Sequence, residues 1–203
     1  MEAPVPGLYP NVAKAGGALL IKITPTSLPE VLIIEPDVFE DRRGFFMETY
    51  HRERYARMGF DRPFVQDNLS YSVKDTIRGL HYQYPKAQAK LIQVLRGELF
   101  DIAVDIRRGS PHFGRWTGVL LDGRSRRQVY IPEGFAHGFC VLSEVALFHY
   151  KTSDYYSPEV EGGILWSDPA LAIDWPVEDP LLSERDRRLP CLTDVASDRL
   201  PRY

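Results

Sequence analysis

Arg78-Gly79-Leu80-His81-Tyr82-Gln83, then Lys90, and much later Pro132-Glu133-Gly134-Phe135-Ala136-His137 are the stretches of this chain whose residue types could do chemistry. An imidazole titrates near neutrality, so it can take or give a proton at physiological pH. Fixed guanidinium and ammonium groups hold an anionic substrate. Two histidines, an arginine and a lysine, set on short β-type segments with glycine beside them, suit an enclosed acid–base site in a small all-β barrel. The chain reads as an enzyme.

Such a site needs strands to carry it. From residue 31 onward, short runs rich in Val, Ile, Phe and Tyr recur between turn residues. Strands are expected at 31–35, 45–50, 65–72, 76–83, 91–95, 98–106, 116–121, 128–131, 138–142 and 145–151. Many short strands with turn signals between them predict an all-β sandwich or barrel. In 99–106, Phe100, Ile102, Val104 and Ile106 share one face while Leu99, Asp101, Ala103 and Asp105 share the other. Two acids on one face mean a polar cavity or solvent. Helical periodicity is scarce: 51–58, ended by Gly59, is one short helix, and a second follows Ser183, placed as an N-cap.

A chain of 203 residues is long enough for one real core, read here as a domain over 29–203 behind an N-terminal arm or extension over 1–28. The net charge of -3, with no basic block, argues against nucleic acid as a partner. Two cysteines, Cys140 and Cys191, are too few for a disulfide framework and fit a reducing cytoplasm. The apolar stretch 16–21 is short and lacks a basic flank, so it is read as neither signal peptide nor membrane anchor.

Pro132, Gly134 and His137 resemble the closing motif of cupin barrels. The opening cupin motif presents His-x-His and a later Glu to a metal, whereas this chain has His81-Tyr82-Gln83. With Gln83 in place of the second histidine, the set is short of ligands for a divalent transition metal, and no metal is expected.

The wider pattern resembles one family. Phe39-Glu40-Asp41-Arg42-Arg43-Gly44, Gln66-Asp67-Asn68, Arg78-Gly79-Leu80-His81, Gln88-Ala89-Lys90, Phe100-Asp101-Ile102, Ser110-Pro111-His112-Phe113-Gly114, Pro132 to His137, Tyr150-Lys151 and Leu165-Trp166-Ser167-Asp168-Pro169 follow the order seen in dTDP-4-dehydrorhamnose 3,5-epimerases. The resemblance runs over about 31–195. It implies a cupin-type jelly-roll (double-stranded β-helix) barrel with a few short peripheral helices, acting as a homodimer on a dTDP-4-keto-6-deoxy sugar without any cofactor. Protons at C3 and C5 of such a sugar are α to the C4 carbonyl. A base on one face, an acid on the other and a partner for the enolate oxygen would epimerise them.

By the same resemblance, His81 is the base, oriented by Asp186, with Asp101 a competing orienter. Tyr150 is the opposing proton donor, aided by Lys151 or another cation, Lys90 stabilises the enolate oxygen, and His137 adds a hydrogen bond near the same sugar. Arg78 and Arg43 meet the diphosphate; Glu48, Gln66, Asn68 and Glu161 contact the nucleotide; Tyr156 stacks on the base. Arg185 stands where the family commonly has lysine, keeping the charge with a different contact geometry. Arg43 and Glu48 are expected to serve the partner's site through an exchanged N-terminal strand. Arg78 lies three residues before His81, so a regular strand would point the two apart; a bulge or twist at Gly79 is required. Epimerisation at C3 only or C5 only, a 3,4-keto shift, and a non-catalytic sugar-nucleotide binding module stay open as alternatives.

Overall fold

The computed structural model describes residues 21–60 and 62–203. Most of the expected arm, 1–20, lies outside the described residues, while Lys22–Pro25 forms strand β1, paired antiparallel to β2 (Leu32–Glu35). A hairpin of β3 (Val38–Asp41) and β4 (Gly44–Met47) leads into the short helix α1 (Arg52–Arg57). The body follows as β5 (Gln66–Val73), β6 (Ile77–Gln83), β7 (Lys90–Arg96), β8 (Glu98–Asp105), β9 (Trp116–Asp122), β10 (Gln128–Ile131), β11 (Phe135–Val141), β12 (Val145–Thr152) and β13 (Glu161–Gly163).

Apart from the two-stranded β3–β4 hairpin, the strands of the described residues form two antiparallel sheets, ordered β1-β2-β10-β7-β12-β5 and β13-β6-β11-β8-β9. The architecture is the expected all-β jelly roll. Its core lies between the sheets, where Ile92, Val94, Val129, Ile131 and Phe148 of the first meet Leu99, Ala103, Leu121, Phe139 and Val141 of the second. Burying such side chains is the main source of cohesion, at about 1.5–3 kcal/mol for a fully buried large aliphatic or aromatic group.

The alternation read in 99–106 is observed, and both faces of β8 are covered. Leu99 and Ala103 join the central core, and Ile102, Val104 and Ile106 join a second cluster on the far side of the sheet. That second cluster is roofed by the C-terminal segment through Ile164, Leu171, Leu192 and Leu200. Indole donors tie the roof down: Trp116 Nε1 to the Leu171 carbonyl at 3.0 Å and Trp175 Nε1 to the Trp166 carbonyl at 2.8 Å. A third cluster seats α1 and Phe60 on the six-stranded sheet through Tyr55, Met58, Leu32 and Ile34.

The helix expected after Ser183 is a single 3-10 turn, Asp186–Arg188. Ser183 still caps it, since its Oγ accepts the Asp186 N–H at 3.0 Å. The turn reaches β6 because the Ile77 N–H donates to the Leu181 carbonyl and the Leu181 N–H to the Asp75 carbonyl.

Candidate active site

One end of the barrel opens into a cavity of about 330 Å³ lined by residues of both sheets, including His81, Lys90, Tyr150, Gln66, Asn68, Tyr156 and Glu161. Pairing explains the convergence. His81 lies directly across from His137 on β11 and from Gly163 on β13, and Tyr150 lies between Asn68 on β5 and Ile92 on β7. The facing sheets therefore bring an imidazole and a phenol to one chamber.

Gly79 provides the irregularity that Arg78 requires. Its φ is +121°, and a Cβ there would sit 2.6 Å from the Gly138 Cα and 2.7 Å from the His137 carbonyl oxygen. Only glycine fits so close a crossing of two strands. The β6–β11 register shifts at the same place. Leu80 and Tyr82 thus point to the outer cluster, while Arg78 and His81 line a common pocket with Ser183, Arg185 and Asp186.

Of the two carboxylates considered for His81, the bonded one is Asp186, with His81 Nε2 at 2.7 Å from its Oδ1. Burial works against the Asp186 charge, but His81, the Gly79 N–H and the Ser183 hydroxyl outweigh it and hold the carboxyl below the ordinary aspartate range. An ionised Asp186 fixes the proton on Nε2 and leaves Nδ1 as the basic nitrogen. Asp101 serves the other histidine: its Oδ2 lies 2.9 Å from His137 Nε2.

His137, expected to bond the sugar, has its second ring nitrogen occupied too, since Nδ1 lies 3.4 Å from Lys90 Nζ. Burial lowers its pKa further below the ordinary histidine value than Asp101 can restore, so it stays neutral. Burial also brings the Lys90 ammonium down to about 8, against the pull of Asp101 and Glu161. The Tyr150 phenol is pushed up, chiefly by burial, with Arg78 opposing and Glu161 adding. Such a phenol keeps its proton at neutral pH.

The cation near Tyr150 is therefore Arg78, not Lys151. Lys151 follows Tyr150 directly and points to the other side of the sheet, where Nζ pairs with Asp67 at 2.5 Å. Around the cavity mouth, Glu161 accepts from the Tyr156 hydroxyl at 2.8 Å and pairs with Arg185 at 2.6 Å. Gln66 is engaged at both ends: its Oε1 accepts the Tyr156 N–H at 2.9 Å, and its Nε2 donates to Asn68 Oδ1 at 2.8 Å. That chain leaves Asn68 Nδ2 a buried donor without a partner among the described residues.

Arg43 and Glu48 are not brought to this cavity. Arg43 sits exposed beside the β3–β4 turn, bound to Asp41, and Glu48 pairs with Arg54 of α1. Gln83, at the position of a cupin metal ligand, spends its amide on the backbone: Nε2 donates to the Lys86 and Tyr155 carbonyls and Oε1 accepts the Ser157 N–H. Among the described residues, no three His, Cys, Asp or Glu side chains are grouped to hold a metal ion. Ser183, expected as an N-cap, holds the Asp186 N–H; Gln83 as a holder of the neighbouring backbone carries no signal in the sequence.

Comparison with known proteins agrees with this geometry. The family model of dTDP-4-dehydrorhamnose 3,5-epimerase matches residues 25–194. The chain is 54% identical over 168 residues to the dTDP-4-dehydrorhamnose 3,5-epimerase of Shigella flexneri, spanning 82% of this chain and 93% of that one. It is 52% identical over 177 residues to the Pseudomonas aeruginosa enzyme of the same name, spanning 86% and 98%. Among solved structures, a Legionella pneumophila dTDP-6-deoxy-D-glucose-3,5-epimerase in complex with dTDP-4-keto-L-rhamnose superposes with a TM-score of 0.88 at 51% identity, covering 90% of this chain and 98% of that one. With the fold, the facing histidine and tyrosine and these relatives in accord, the chain belongs to the dTDP-4-dehydrorhamnose 3,5-epimerase family.

Proposed function

We propose that this protein epimerises dTDP-4-dehydro-6-deoxy-D-glucose at C3 and C5 to dTDP-4-dehydro-L-rhamnose, in the making of dTDP-L-rhamnose. His81 Nδ1 removes the proton from the carbon α to the C4 ketone, and the C–H electron pair moves into a carbon–carbon double bond. Charge passes to the C4 oxygen, where the Lys90 ammonium holds it. Tyr150 then returns a proton to the opposite face of the same carbon, inverting it; solvent takes the proton from the His81 imidazolium and returns one to the phenolate, so both groups are reset. The sequence repeats at the second carbon. Only protons move, so the steps balance without oxidant or reductant.

The observation that carries this reading is the single cavity lined by His81 of one sheet and Tyr150 and Lys90 of the other, with Asp186 behind the histidine. Arg78 and Arg185 take the diphosphate. Asn68 Nδ2 and Glu161 meet the nucleotide, and Tyr156 stacks on its base.

The working form is a homodimer. Leu69, Tyr71 and Val73 stand exposed on the outward face of edge strand β5, and Phe39, Phe45 and Phe46 stand exposed on the β3–β4 hairpin. Apolar area of that kind favours cover by a second copy. In such a dimer Arg43 and Glu48 reach the partner's site. The cytoplasm is the compartment that fits two unpaired cysteines, and no helix among the described residues is long and apolar enough to cross a membrane.

Incubation of the dTDP-4-keto sugar with the protein in heavy water, followed by NMR, tests the reading. Deuterium at both C3 and C5 is expected. Label at one carbon alone assigns a mono-epimerase, and bound sugar without label assigns a binding module.

A further inference from the structure

The second histidine–carboxylate pair has no place in the proton transfers above, yet it is the more deeply buried of the two. We propose that Asp101 and His137 are positioning residues forming a relay that holds the Lys90 ammonium charged and in place for the C4 oxygen. This rests on the function proposed above.

The geometry points one way. Asp101 is 2% exposed and His137 7%, and both ring nitrogens of His137 are spent on protein groups. A carboxylate has no proton to offer, so Nε2 carries the ring proton and donates it to Asp101 Oδ2. Nδ1 is then a lone-pair acceptor aimed at Lys90, whose three donors leave others free for substrate. At 3.4 Å the Lys90 contact is long, and bonds of this kind tighten when substrate closes the site. β11 lies between β6 and β8 in the five-stranded sheet, so the strand beside the base also carries the relay. His137 pairs with His81 on one side and with Ala103 on the other. The relay therefore ties the charge holder to the strand that carries the base.

Several groups set the Lys90 charge. Asp101 from β8 and Glu161 from β13 favour the ammonium, burial opposes it, and neutral His137 from β11 accepts from it. His81 from β6 and Tyr150 from β12 line the same cavity. Removing the Asp101 charge takes away one of the two carboxylates that hold the proton on Lys90. An amide at 101 can also turn its NH₂ toward Nε2, moving the ring proton to Nδ1, where it meets the ammonium.

The test compares the wild type with Asp101→Asn, and with His137→Gln as a second variant should the first fail to fold. Lys90 is followed in the full-length protein by NMR of ¹³C-labelled lysine side chains, and turnover of the dTDP-4-keto sugar is followed against pH. The titration midpoint of Lys90 is expected to fall in the variant. The basic limb of kcat should move down with it, with KM changed less than threefold. An unmoved midpoint overturns the relay, and so does a moved midpoint with an unmoved limb. A wild type that titrates as described but never turns the sugar over would overturn the proposed function instead, since the NMR arm needs no catalysis.

Discussion

Two histidines stand side by side across β6 and β11, each bonded to a carboxylate, and they are not equivalent. His81 shares Nε2 with Asp186 and keeps a side chain 28% exposed, while the side chain of His137 is 8% exposed with both nitrogens occupied. In the proposed reaction the same imidazole–carboxylate pairing therefore serves as a proton acceptor in one place and a fixed strut in the other. What separates them is access: a free nitrogen on a cavity wall against a ring closed at both ends. Neighbouring charge follows the same division. Asp186 comes from the C-terminal roof, Asp101 from the adjacent strand of the sheet.

The largest effect should come from the open histidine. His81→Ala is expected to lower kcat by about 10²–10⁴, the range for removing a positioned general base, with binding of dTDP kept. A loss under tenfold would put the two histidines on a par and break the distinction. Lys90→Met should cost about 10²–10³ in kcat, as for loss of one oxyanion donor. Its melting temperature should stay level or rise, because a desolvated ammonium leaves the interior; calorimetry beside steady-state kinetics reads both.

A third outcome concerns pH. The Lys90 ammonium loses its proton near pH 8, so kcat should fall as pH rises through about 8. Tyr150 is pushed up rather than down and keeps its proton there, so it does not set that limb. A basic limb near 10 or above would assign the control to the phenol instead. The smallest change is Ser183→Ala, which removes the acceptor for the Asp186 N–H. By analogy with a lost helix cap, a stability cost of about 1 kcal/mol is expected, read as a lower melting temperature, with a smaller loss in kcat than either substitution above.

The sequence made one half of this contrast legible and obscured the other. His81 and Tyr150 stood in short motifs on expected strands with Lys90 just before another, and β10 was found with its bounds as observed. Asp186 was reached only through family resemblance: it lies 105 residues from His81 in a segment without periodicity, pinned by backbone bonds that no side-chain pattern reports. Alternation placed Asp101 with Asp105 on one face, toward a polar cavity or solvent, and did not say which histidine it met. The parity switch between Arg78 and His81 was deduced from Gly79, because two residues of opposite register had to share a site. Strands β1, β3 and β13 went unread. β1 ends in proline, β3 is acidic and largely exposed, and β13 has two glycines in three residues, so none carries the apolar alternation by which strands are recognised. Between Lys151 and another cation beside Tyr150 the sequence left the choice open: Lys151 is adjacent in the chain but pairs with Asp67, and Arg78 is the cation that acts on the phenol.

In the proposed reaction the departing and arriving protons cross opposite faces of the sugar, one at His81 and one at Tyr150. Heavy-water exchange of the dTDP-4-keto sugar, resolved at C3 and C5 by NMR, should be run with His81→Ala and Tyr150→Phe side by side. Loss of exchange at both carbons in the first, with exchange but no inversion in the second, is the predicted result. Exchange at the wild-type rate in His81→Ala would contradict it.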